Sequence, residues 1–118
     1  MKVMILGKAT KQTEASQPPT EEAILAMHKF NEELEKAGVL LDLGGLTPTS
    51  RGVRLMYSGG KCTVTDGPFA EAKEQMGGYL IVDCESVDRA TEIAARWPNA
   101  RFGAMEVRPI MDAGGAEM

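Results

Sequence analysis

The sequence predicts one α+β domain, a βαββαβ chain with a β-hairpin inserted, and three observations carry that expectation. Two segments, 20–37 and 86–97, place apolar residues at helical spacing. Four segments, near 2–8, 39–46, 79–82 and 103–110, are apolar runs of strand length. Between them, Ser58-Gly59-Gly60 joins two further short strands. The 118 residues suit a single domain, since domains commonly run to roughly 100–150 residues. The expected boundaries are a domain over 1–112 and a flexible tail over 113–118.

Residues 2–8 are apolar on both faces, as a central strand is. Residues 9–19 are polar, carry Pro18 and Pro19, and read as a loop. Thr20 offers an N-cap, and Glu21 and Glu22 set negative charge in the first turn, where the helix dipole favours it. Ala23, Met27, Phe30, Leu34 and Ala37 then form one apolar stripe, with Gly38 as the stop. Glu32 and Lys36 stand as an i,i+4 pair on the outer side. An apolar strand follows to Gly44-Gly45, then the hairpin strands near 53–57 and 61–65. The turn Asp66-Gly67-Pro68-Phe69 leads into one or two helical turns over 70–75. Gly77-Gly78 opens the strand Tyr79–Val82, where two glycines before a strand suggest a bulge or a close backbone approach. Ser86 caps a second helix whose Val87, Ala90, Ile93, Ala94 and Trp97 share a face, and Pro98 closes it.

With the hairpin set aside, two split β-α-β units interlock in one antiparallel sheet with both helices on one face, the ferredoxin-like arrangement. Its other face, apolar but uncovered by this chain, calls for a twofold partner, so a homodimer is expected.

Hydrophobic residues make up 43% of the chain and the net charge is −4, with both signs interspersed. No Lys/Arg cluster is available to neutralise a run of phosphates, which argues against direct nucleic-acid binding. No stretch approaches the ~20 apolar residues of a membrane span, and Lys8 interrupts the N-terminal apolar run before it reaches signal-peptide length. A cytoplasmic protein is expected. Cys62 and Cys84 lack metal-ligating neighbours and read as free thiols, so neither a metal nor a cofactor is expected.

Residues 64–83, VTDGPFAEAKEQMGGYLIVD, closely resemble the signature of the DGPF or YCII-related family. The likeness continues through Phe30–Leu34 into Ala37–Leu40, and through Ala90, Ala94 and Ala95 into Glu106–Ile110. The resemblance implies a ferredoxin-like protomer that pairs into a dimeric α/β barrel. It implies little about activity: some relatives are suspected enzymes, and others occur joined to or beside transcription sigma factors. Distant members carry a His-Asp pair. The single histidine here, His28, does not match that helix position, so no such dyad is carried over.

Asp66 is the leading chemical candidate. A carboxylate at a strand end, on a rigid Gly67-Pro68 turn, could act as a general acid/base or hold a polar ligand. The same residue types also make a good turn unaided, with Asp66 accepting backbone N–H bonds and Phe69 anchoring the turn in the core. Gly67, Pro68, Phe69 and Tyr79 complete the candidate ligand site, because Tyr79 alternates with Leu80 and one of the two must face the uncovered sheet surface. His28 reads as an exposed imidazole near Glu32, or as a cleft residue if its flank lines a dimer interface. Arg54 and Arg108 could hold an anion or simply be solvated. Three functions are open: a small-molecule enzyme using Asp66, a non-catalytic ligand-binding module, and an accessory linked to a sigma factor.

Overall fold

The structure, a computed structural model, describes residues 1–15, 18–69, 76–98 and 104–118. In chain order these form β1 (Lys2–Lys8), α1 (Lys11–Glu14), α2 (Glu21–Lys36), β2 (Leu40–Gly45), a 3-10 turn (Thr49–Arg51), β3 (Val53–Ser58), β4 (Lys61–Asp66), β5 (Met76–Asp83), α3 (Val87–Arg96) and β6 (Met105–Pro109). Four strands make one sheet in the order β2-β5-β1-β6, and every neighbouring pair is antiparallel. Strands β1 and β2 therefore run parallel on either side of β5, and α2 is the crossover between them. This is the ferredoxin-like topology expected, and β3 and β4 form a separate two-stranded ribbon inserted into it.

The core lies between this sheet and the two long helices. Val3 and Ile5 of β1 and Leu80 and Val82 of β5 meet Phe30 and Leu34 of α2 and Ala90, Ile93 and Ala94 of α3. Trp97 closes the stack, 5% exposed, with its indole N–H 3.1 Å from Met27 Sδ. Its ring passes so near Gly7 that a Cβ there would lie 3.3 Å from it. Helix α2 starts where Thr20 Oγ1 accepts the Ala23 N–H and ends at Gly38, whose φ of 73° only glycine adopts freely. Helix α3 starts where Ser86 Oγ accepts the Arg89 N–H.

Several expectations are corrected. Residues 9–19 are not wholly loop: Thr10 and Thr13 cap each other's backbone N–H groups and nucleate the single turn α1. The surface ion pair of α2 is not Glu32–Lys36. Among the described residues it is Glu33 that is bridged, to Arg96 of α3 at 2.6 Å, because position 33 faces the neighbouring helix. Apart from these corrections, the chain after β6 makes a turn, with Asp112 Oδ1 accepting the Gly114 and Ala116 N–H groups and Met111 bridging Glu117. The helical turns expected over 70–75 lie outside the described residues.

Candidate functional site

The sheet register sorts every side chain to one of two faces. Across β6, β1, β5 and β2, one row on the helix-free face reads Arg108, Met4, Ile81, Asp42, and the next reads Glu106, Leu6, Tyr79, Gly44. Leu80 turns into the core, so Tyr79 is the residue that faces away from the helices. Its ring lies over Gly44, where a Cβ would come within 2.7 Å of it. The apolar centre of this face, Met4, Leu6, Tyr79 and Ile81, is thus bordered by Arg108 and Glu106 on one side and Asp42 on the other.

Gly77 is skipped in the pairing of β1 with β5: Gly7 opposes Gly78, while Lys8 opposes Met76. This is the bulge that the paired glycines suggested, and it brings Gly77 against Ala9, where a Cβ would stand 3.3 Å from the Ala9 Cα. The Gly77 carbonyl also accepts the Leu46 N–H at 3.0 Å, which ties the chain leaving β2 to the same end of the sheet.

The Asp66–Phe69 turn is anchored near that end. Phe69 N–H donates to Thr49 Oγ1 at 3.1 Å, and Thr49 donates its hydroxyl and its backbone N–H to the two carboxylate oxygens of Glu14, at 2.5 and 3.0 Å. Gly67 N–H donates to the Gly52 carbonyl at 3.0 Å. The Gly67 backbone sits so close to the Thr49 carbonyl that a Cβ would overlap it, and the Gly67–Pro68 bond is cis. The Arg54 guanidinium stacks on the Phe69 ring, 4.1 Å from its centroid.

Two parts of the turn expectation change. Phe69 is half-buried beneath Arg54 rather than inserted in the core, because the turn belongs to the root of the ribbon and not to the helix-covered face. Asp66 is exposed, and among the described residues its carboxylate accepts no hydrogen bond. The turn is held instead by Thr49, Gly52 and, through Thr49, Glu14. Sequence reading overlooked these holders. The Thr10-x-x-Thr13 spacing signals the cap of α1, but nothing local connects Glu14 to Thr49, which lies 35 residues away.

The other candidates are dispersed. His28 is exposed on α2, and Arg108 is exposed on the helix-free face beside Met4. Cys84 is buried and donates its Sγ–H to the Ser86 carbonyl, whereas Cys62 is exposed on β4; both are free thiols. No helix of the described residues is long and apolar enough to cross a membrane.

Residues 1–113 match the profile of the YCII-related domain. An uncharacterised protein of Rhizobium meliloti (strain 1021) is 43% identical over 77 residues, an alignment covering 64% of this chain and 62% of that protein. The chain therefore spans less than two thirds of that relative's length. Among solved structures, the 5-chloro-2-hydroxyhydroquinone dehydrochlorinase TftG from Burkholderia phenoliruptrix AC1100, in complex with 2,5-dihydroxybenzoquinone, superposes with a TM-score of 0.56. The alignment covers 99% of this chain and 100% of that one at 17% identity, a likeness of fold.

Proposed function

The chain belongs to the YCII-related domain family, and from that premise we propose that it binds a small polar molecule at the helix-free sheet face of a homodimer, with Asp66 as the acid/base or ligand-contacting group. The observation that carries this reading is the state of Asp66. A carboxylate whose role was to hold its turn would accept the turn's own N–H groups. Here Thr49 and Gly52 receive the N–H groups of Phe69 and Gly67, and the Asp66 carboxylate is exposed and accepts no hydrogen bond among the described residues. An exposed carboxylate at a strand end, on an anchored turn, is placed as a group that meets a ligand is placed.

Tyr79 supports the same reading from the sheet. Its phenol is polar, its ring is positioned over Gly44, and its face carries Arg108, Glu106 and Asp42 around an apolar centre. An apolar floor with a few polar groups at its border is the usual composition of a small-molecule site. TftG, of the same fold, was solved with 2,5-dihydroxybenzoquinone, a small oxygenated ring, and that compound is the natural first probe.

The test is a thermal-shift screen of hydroxylated quinones and aromatic acids, headed by 2,5-dihydroxybenzoquinone, on wild type and Asp66→Asn. The variant is expected to melt with wild type, since the turn keeps its holders, and to lose the ligand-induced shift. Equal ligand shifts in both proteins would remove Asp66 from the site and leave a binding module without acid/base chemistry. No shift in wild type with any compound would remove the binding reading.

A further inference from the structure

We infer that Glu14 is a positioning residue, one that holds the β3–β4 ribbon and its Asp66 in place against the main sheet and Tyr79; this role rests on the small-molecule site proposed above. The need for such a residue follows from the sheet topology. Tyr79 belongs to the four-stranded sheet and Asp66 to the two-stranded ribbon, and the two sheets share no strand pairing among the described residues. A ligand that meets both side chains therefore meets a site only as firm as the link between the two bodies.

Among the described residues, the hydrogen bonds that cross between these bodies are those of Thr49 to Glu14. The chain leaving the main sheet is last tied to it at Leu46, whose N–H reaches the Gly77 carbonyl, and Thr47 and Pro48 then lead to the 3-10 turn. There the Thr49 backbone N–H and hydroxyl donate to the two carboxylate oxygens of Glu14, at 3.0 and 2.5 Å. An ordinary cap is supplied by a residue beside the turn. A carboxylate 35 residues away fixes the turn in space as well.

Both ends of this tie are firm. Glu14 is the last residue of α1, whose single turn is set by the Thr10–Thr13 capping box. Ala9, between β1 and that box, is 7% exposed and sits against Gly77 at the bulge of β5. On the ribbon side, Gly52 N–H donates to the Thr49 carbonyl at 2.9 Å, and the Gly52 carbonyl accepts the Gly67 N–H. Thr49 Oγ1 accepts the Phe69 N–H, so the chain is gripped on both sides of the Asp66 turn through Thr49. Hydrogen-bond polarity makes the carboxylate necessary. The Thr49 hydroxyl has one proton, and giving it to Glu14 keeps an oxygen lone pair for Phe69. Only a side chain with two acceptor oxygens takes both Thr49 donors at once, and an ionised acceptor makes the stronger bonds.

The native thiols make the placement measurable, because Cys62 is exposed on β4 and Cys84 is buried. A nitroxide on Cys62 relaxes the amides of β1 and β5 according to their distance from the ribbon, and isotope-labelled chains diluted into unlabelled protein report one chain alone. In Glu14→Ala this relaxation pattern is expected to change, while exchange protection at Val3, Ile5, Leu80 and Val82 stays as in wild type and shows that the core is intact. Binding of 2,5-dihydroxybenzoquinone to the same variant is expected to weaken at least about tenfold. An unchanged relaxation pattern overturns the positioning role, and so does a changed pattern with wild-type binding; both leave the proposed site standing. A wild-type protein that does not bind the probe removes the site and the role with it.

Discussion

Trp97 closes the apolar stripe of α3, and its environment shows why a single side chain carries a large share of stability here. It is buried against the Gly7 backbone with its N–H on the Met27 sulfur. Trp97→Ala is expected to cost on the order of 3–5 kcal/mol, read as a lower urea midpoint with an unchanged m-value. An unchanged midpoint would contradict the packing of that ring. Gly44 governs a different property. Any Cβ there would enter the Tyr79 ring, which lies on the face away from the helices. Gly44→Ala should therefore cost only about 1–3 kcal/mol, since the ring can swing outward without disturbing the core. It should shift the Tyr79 ring-proton resonances and weaken any ligand that Tyr79 contacts. Resonances that stay in place would show that the ring does not lie over Gly44.

At the scale of elements, the 3-10 turn at Thr49–Arg51 links α1 to the Asp66–Phe69 turn through one hydroxyl. Thr49 Oγ1 donates to Glu14 and accepts from Phe69 N–H. Thr49→Val keeps the shape and removes both bonds, for an expected loss of about 1–3 kcal/mol. Amide exchange should then accelerate at Phe69, while Val3, Ile5, Leu80 and Val82 in the main sheet remain protected. Uniform acceleration across the sheet would mean that the turn and the core unfold together. The hairpin turn behaves otherwise. Gly59 and Gly60 both have positive φ, 57° and 78°, which matches the twist of a two-residue connection and needs no tertiary support.

For the whole molecule, the helix-free face of the main sheet, where Met4, Tyr79 and Ile81 are half-buried, and the exposed β3–β4 ribbon are two surfaces that lie away from the helix-packed core. Burying the first in a partner is the homodimer of the proposed function. Ile81→Lys tests it, since Ile81 lies on that face between Met4 and Asp42 in the sheet. The variant is expected to sediment as a monomer at concentrations where wild type is dimeric, because burying an ammonium costs more than its pairing with the neighbouring Asp42 returns. If it remains dimeric with wild-type affinity, the main sheet is not the interface.

The local chemistry of the chain determined a good deal by itself. The Thr20 and Ser86 caps, the stop at Gly38, the Gly59-Gly60 turn and the stripe ending at Trp97 are short-range matters, and each is where the residue types place it. The sheet order follows from the alternation of helices and strands, and residues 64–83 carry the family likeness. The tertiary structure decided which of Tyr79 and Leu80 faces inward, because alternation sets them apart without saying which side the helices occupy. It decided that the ion pair of α2 is Glu33–Arg96 across to α3 rather than Glu32–Lys36, since only packing sets which side of α2 meets α3. It also decided what holds the Asp66 turn. Aspartate, glycine and proline can make that turn from their own preferences, so the sequence offered no reason to look further. Glu14 and Thr49 reach it only when the chain closes on itself. Contacts across 35 residues leave no local pattern, and by taking over the turn's hydrogen bonds they leave the Asp66 carboxylate exposed to solvent.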